Sequence, residues 1–238
     1  MAAVLLLAVT NQMSLDVAVI PFLWVLPLSL YLLSFIIAFD HERWYNRTVF
    51  TGALIPAMAG VVWMLFYDVN ASALLQIGVY SIALFVCCMA CHGELARLKP
   101  HPRYLTSYFL GIAAGGVLGG VLVGVVAPRV FNLFFELHLG VLACCALVLL
   151  AIGTDKQSGL YRGRPRWAWG TIGVGYVVLA VTLGYHARRS TSFAMASSRN
   201  FYGVLRVYAD NVGTPSETYS LLNGRILHGL QYRVTDKR

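Results

Sequence analysis

Residues 103–128 read RYLTSYFLGIAAGGVLGGVLVGVVAP, with no charge between the ends and glycine throughout. The hydrocarbon core of a bilayer is about 30 Å thick and a helix rises about 1.5 Å per residue, so roughly 20 apolar residues cross it. Gly111, Gly115 and Gly119 step by four, and so do Gly116, Gly120 and Gly124. The two series form two ridges on one helix, about 100° apart. Such ridges predict close backbone packing of the GxxxG kind, with this helix as the one its neighbours pack against. A substrate path along the same groove is the second reading. A dinucleotide loop does not fit, because G-x-G-x-x-G must follow a strand and open a helix.

The rest of the composition agrees with a chain that lives in lipid. Of 238 residues, 58% are hydrophobic and 12% charged, with a mean hydropathy of +0.69. Soluble chains carry about 25% charged residues. The formal net charge is +8. The basic residues fall mostly in short loops between apolar runs, where they orient helices rather than bind nucleic acid. Cys87, Cys88, Cys91, Cys144 and Cys145 all lie within apolar runs, which excludes a secreted disulfide framework. The start, MAAVLLLAVTNQ, lacks the positive leader of a signal peptide and reads as the tail end of a helix that begins earlier.

Apolar runs predict spans at 17–39, 48–67, 73–91, 103–128, 131–152 and 167–185. Pro21 and Pro27 interrupt the first, just after the polar residues Asn11, Gln12 and Asp16. Those three either line a polar cavity beside a broken helix or face water in an interfacial loop. After the sixth span, 188–200 reads as a Ser-rich linker and 201–238 as short strands at 201–208, 218–222 and 225–228. Asn223-Gly224 signals a hairpin, because both central residues of the favoured turn take positive φ. The expected fold is an all-α polytopic membrane bundle of about six transmembrane helices (1–187) with a short C-terminal β-meander or hairpin extension. Lys and Arg number two in loop 40–47, three in 92–103 and four in 153–166, against Arg129 alone in the alternate loops. That bias assigns the three basic loops to the cytoplasm and, with six spans, sends the tail to the other side. Arg188 and Arg189 argue the other way, and the side of the tail is left open.

Chemistry-bearing motifs are few. Cys88-Met89-Ala90-Cys91-His92 spells C-x-x-C-H, the spacing of covalent haem attachment, but it ends an apolar helix on the expected cytoplasmic side, where small buried thiols are the simpler reading. His92, Glu94, Glu136 and His138 are ionisable groups on helix ends. They fit structural pairing or capping, and otherwise a proton or metal relay. H-E-x-x-H, Walker and Ser-His-Asp patterns are absent, so no catalytic residue and no metal site is assigned.

Four blocks carry a resemblance: TNQMSLDVAVIPFLWVLPLSLYLLSFIIAFD, CHGELARLKPHPRYLTSYFLGIAAGGVLGGVLVGVVAP, RNFYGVLRV and LLNGRILHGLQY. They resemble bacterial multi-pass inner-membrane proteins fused to a spermidine-synthase-like domain. In that family a small β-sheet precedes a Rossmann-type unit that binds decarboxylated S-adenosylmethionine or a related nucleotide. His228, Gly229 and Gln231 match the family's H-G-x-Q stretch, where the Gln lies near the ligand. The resemblance puts the nucleotide loop and the catalytic Asp beyond Arg238. It therefore implies no cofactor site and no aminopropyl transfer within these residues, and a Rossmann-type domain or partner subunit to complete the unit. A small-amine transporter and a structural subunit of a larger membrane complex are the alternatives.

Overall fold

The computed structural model describes residues 1–17, 21–67, 70–163, 165–192, 194–200, 203–214, 216–224 and 226–233. Two shorter apolar helices open the chain, α1 (Ala2–Asn11) and α2 (Val25–Asp40). Five longer ones are long and apolar enough to cross a membrane: α3 (Arg47–Tyr67), α4 (Ala73–Arg97), the rod Pro102–Val130, α7 (Glu136–Thr154) and α8 (Arg166–Ser192). The rod comprises α5 (Leu105–Val121), a π-helical turn at Leu122–Val126 and α6 (Ala127–Val130). Pro128 has no N–H and its ring crowds the carbonyl four residues back, so the wider turn falls just before it. Arg129 donates to the Val125 carbonyl there at 2.7 Å.

The span expected at 17–39 is corrected. A π-helical turn continues α1 over Gln12–Val17, a 3₁₀ turn covers Pro21–Trp24, and α2 begins only at Val25. Pro27 thus sits in the first turn of α2, where its missing N–H breaks no helical bond. With 16 residues, α2 rises about 24 Å, short of a full crossing.

The glycine helix is not the hub of the bundle. Of its six glycines only Gly119 meets a neighbour, Ala3 and Val4 of α1, while a Cβ at Gly111, Gly115, Gly116, Gly120 or Gly124 enters open space. The centre is α4, which packs on α2, α3, α1 and α7. Ala83, Cys87, Cys88 and Ala90 are its small, fully buried residues. They give the close approach that the sequence suggested for the glycines. Beside α4 lies α1, with Leu5, Ala8, Val9 and then Met13 buried. The Ser72 side chain caps α4 by accepting from the Leu75 amide at 3.3 Å.

At the end of the bundle away from the basic loops sits an antiparallel sheet in the order β1 (Ala196–Asn200), β2 (Gly203–Asp210), β3 (Thr218–Asn223) and β4 (Ile226–Tyr232). The stretch 188–200 is therefore no linker, since α8 continues to Ser192 and β1 takes 196–200. Ser and Asn lower a strand's propensity, but pairing of Arg199 with Val204 and Ser197 with Arg206 settles this one. The expected hairpin joins β3 to β4, displaced by one residue. Asn223 pairs with Ile226, and Gly224, at φ 56°, opens the turn.

The β2–β3 loop closes on Glu217, which is 3% exposed. Its carboxylate accepts from the Tyr219 hydroxyl at 2.7 Å, the Gly213 amide at 3.0 Å and the Arg233 guanidinium at 2.7 Å. These bonds, that of Tyr219 foremost, hold its pKa down to about 2. A carboxyl with a lowered folded pKa stabilises fully above its ordinary value near 4.5, and that contribution is lost as pH falls through about 2. The protection factor of the Gly213 amide, its exchange relative to an unstructured amide at the same pH, should accordingly fall between pH 4.5 and 2 in the native chain. In Glu217→Gln that protection should be low throughout the window; a native protection factor that does not change with pH would refute the assignment.

Candidate functional site

Two polar clusters occupy opposite ends of the bundle. At the basic-loop end the Glu94 carboxylate on α4 accepts from the Tyr45 hydroxyl at 2.8 Å, from Arg47 Nε at 2.7 Å and from a second Arg47 nitrogen. Arg47 opens α3 and also reaches Asp155, just past α7, at 2.5 Å, while Arg97 meets the same carboxylate at 3.1 Å. One guanidinium thus ties the ends of three helices. Burial and then the Glu94 bond push the Tyr45 phenol above its ordinary pKa. The Gln157 amide and then Arg47 hold Asp155 below its own.

His92 takes no part in that network. It is 2% exposed and meets Ser34 Oγ on α2 through Nδ1 at 3.0 Å. Ser34 gives its single proton to the Tyr31 carbonyl at 2.8 Å, so the ring donates Nδ1–H to Ser34. His92 and Glu94, two apart on α4, turn to different partners. Cys88 lies toward Ser34, whereas Cys91 Sγ is 3.7 Å from Cys144 Sγ on α7. The two thiols of C-x-x-C-H turn to different neighbours. Next to them a cleft of about 630 Å³ runs between α4 and α7, with Gly111, Gly115 and Gly116 along its α5 wall.

The second cluster lies at the seam between bundle and sheet. Arg199 of β1 pairs with Glu136, the first residue of α7, and both side chains are 2% exposed. Arg199 also donates to the Leu133 carbonyl at 2.5 Å and stacks on the Phe134 ring at 4.5 Å. Two residues on from Glu136, His138 Nε2 meets His186 Nδ1 of α8 at 2.9 Å, and His186 Nε2 meets the Leu65 carbonyl at 3.1 Å. A carbonyl only accepts, so the tautomers follow: His186 carries its proton on Nε2, and His138 donates Nε2–H to His186 Nδ1. That leaves His138 Nδ1 as a bare lone pair, buried and without a hydrogen-bond partner.

Between these helices and the sheet is a chamber of about 370 Å³, lined by Gln12, His138, His186 and Ser190 from the bundle and by Arg206 and Tyr208 from β2. Of the polar break, Gln12 reaches this chamber, Asn11 ends α1, and the side chain of Asp16 lies outside the described residues. His228 and Gln231 are exposed on the edge strand β4, away from the chamber lining. Sequence reasoning missed His186, Arg199, Arg206 and Tyr208. The alternation of 204, 206 and 208 along one strand face was the signal available for the last two. Among the described residues no group of three or more His, Cys, Asp or Glu is arranged to hold a metal ion. Set beside known proteins, the chain matches no family model, no curated protein and no solved structure.

Proposed function

We propose that this chain is the integral membrane portion of a spermidine-synthase-like protein of the aminopropyltransferase family, and that residues 1–238 alone transfer no aminopropyl group. The observation that supports the reading is a four-stranded antiparallel sheet seated on an apolar bundle through the buried Arg199–Glu136 pair. Such a small sheet is what the family resemblance sets ahead of a nucleotide-binding unit. Its outward side leaves Leu205 and Leu221 exposed beside the edge strand β4, apolar surface of the kind a further layer covers. We place the protein in the bacterial inner membrane. The Arg47–Glu94–Asp155 network gathers the basic loops on one face, and their positive charge makes that face cytoplasmic, with the sheet opposite.

The test has two readouts. The gene product read from genomic DNA through and past the codon of Arg238 should convert putrescine and decarboxylated S-adenosylmethionine to spermidine, and residues 1–238 should not. Failure of the longer product to form spermidine would overturn the enzymatic reading. On intact cells, Val212→Cys in the exposed β2–β3 loop should react with a membrane-impermeant maleimide. Labelling only after lysis would reverse the orientation.

A further inference from the structure

Among the described residues, two of the half-buried arginines have carboxylate partners: Arg47 has Glu94 and Asp155, and Arg199 has Glu136. Arg206 is different. It is half-buried on the side of β2 that carries Val204 and Tyr208, and it lines the seam chamber. Its hydrogen bond is to the Tyr208 hydroxyl at 3.3 Å, and it has no carboxylate partner among the described residues. A guanidinium has five N–H donors, so most of its capacity is unspent. No carboxylate stands among the described residues lining the chamber. His138 lines the same chamber, and its Nδ1 is buried without a hydrogen-bond partner. The nearest carboxylate on α7, Glu136, is already neutralised by Arg199.

We propose that the seam chamber binds a small oxyanion, a carboxylate or a phosphate group, between the Arg206 guanidinium and the His138 ring. The amine ligand suggested by the transporter alternative has no counter-charge here. An anion does, and a half-buried guanidinium–oxyanion bond is a strong one. The tautomers add a second feature. Because His138 Nε2–H is committed to His186, Nδ1 faces an oxyanion as one lone pair against another. The ring therefore takes up a proton as the anion binds and donates Nδ1–H to it. The other titratable or charged groups around His138 are His186 on α8, Tyr80 on α4, Arg206 and Tyr208 on β2, and the Glu136–Arg199 pair. The inference rests on the chamber and not on the aminopropyltransferase reading, so either stands if the other fails.

A free anion and an anionic lipid headgroup share this chemistry, and the test separates them. The full chain in phosphatidylcholine nanodiscs is titrated calorimetrically with sulfate, whose charge is constant between pH 5.5 and 8. Sulfate should bind with uptake of about one proton, more tightly at pH 5.5 than at pH 8, and about tenfold more weakly in Arg206→Gln, with Arg206→Lys between the two. His138→Asn should abolish the proton uptake while keeping part of the affinity. If a headgroup is the ligand, phosphatidylglycerol nanodiscs should raise the thermal midpoint over phosphatidylcholine, and Arg206→Gln should cancel the rise. Indifference to both sulfate and phosphatidylglycerol, or equal binding by Arg206→Gln in a chain of unchanged helicity, overturns the site. Binding without proton uptake overturns the part given to His138.

Discussion

Glu136→Gln should unseat the sheet while leaving the helices assembled. The carboxylate and its partner Arg199 are each 2% exposed, so removing the negative charge leaves a guanidinium buried without its ion. Breaking a buried pair in this way costs about 3–5 kcal/mol. The remaining hold on Arg199 is the Leu133 carbonyl and the Phe134 ring, together worth about 2–3 kcal/mol at most. The loss exceeds what remains, and a small sheet with no second layer is marginal alone. The bundle core of Leu5, Met64, Leu84 and Val141 is untouched by the change. Protease should therefore cut between α8 and β1 at least tenfold faster in Glu136→Gln, with unchanged helical circular dichroism. Glu136→Leu with Arg199→Leu should be milder than either single change, because no charge is then stranded. Equal protease resistance of Glu136→Gln and the native chain would refute the seat.

Gly93→Ala should destabilise the basic-loop end, against the usual sign for such a change. In a helix interior the substitution ordinarily gains about 1 kcal/mol. Here the new Cβ falls 2.2–2.4 Å from three ring atoms of Tyr45. The ring is not free to withdraw. Tyr45 is buried, stacks on Phe50 at 5.6 Å and donates its hydroxyl to Glu94. Overpacking costs about 1–3 kcal/mol, and a lost hydrogen bond to a charged group about 1.5–3 kcal/mol. The sum outweighs the propensity gain, so the thermal midpoint in detergent should fall by several degrees. Gly111→Ala, where a Cβ meets open space, should hold or raise the midpoint. A fall for Gly111→Ala and none for Gly93→Ala would invert the account.

Those two glycines also mark how far sequence alone reaches. Apolar length showed the spans from Arg47 onward, because the cost of leaving backbone groups unpaired in lipid allows little else. Asn223-Gly224 showed the hairpin, since turn chemistry is local. The hub was not legible. A GxxxG series says that a helix face is smooth, not that a neighbour occupies it, and the small residues that are occupied here are alanines and cysteines on α4. The first span misled because its prolines decide where a helix starts, and a hydropathy window averages over them. At the seam, Glu136 and His138 were visible as ionisable residues in an apolar run. Their partners Arg199 and His186 lie 63 and 48 residues away and were beyond any spacing rule.

The ion pairs of Arg47 and Arg97 bear on how the chain reads its own orientation. Insertion machinery meets each loop before the helices have come together, when all nine basic residues of the three loops are solvated and count toward orientation. Once Glu94 and Asp155 have claimed Arg47 and Arg97, the assembled face offers fewer free cations to anionic headgroups than the nascent chain displayed. The same side chains act first as a signpost for the translocation apparatus and later as a rivet between helix ends.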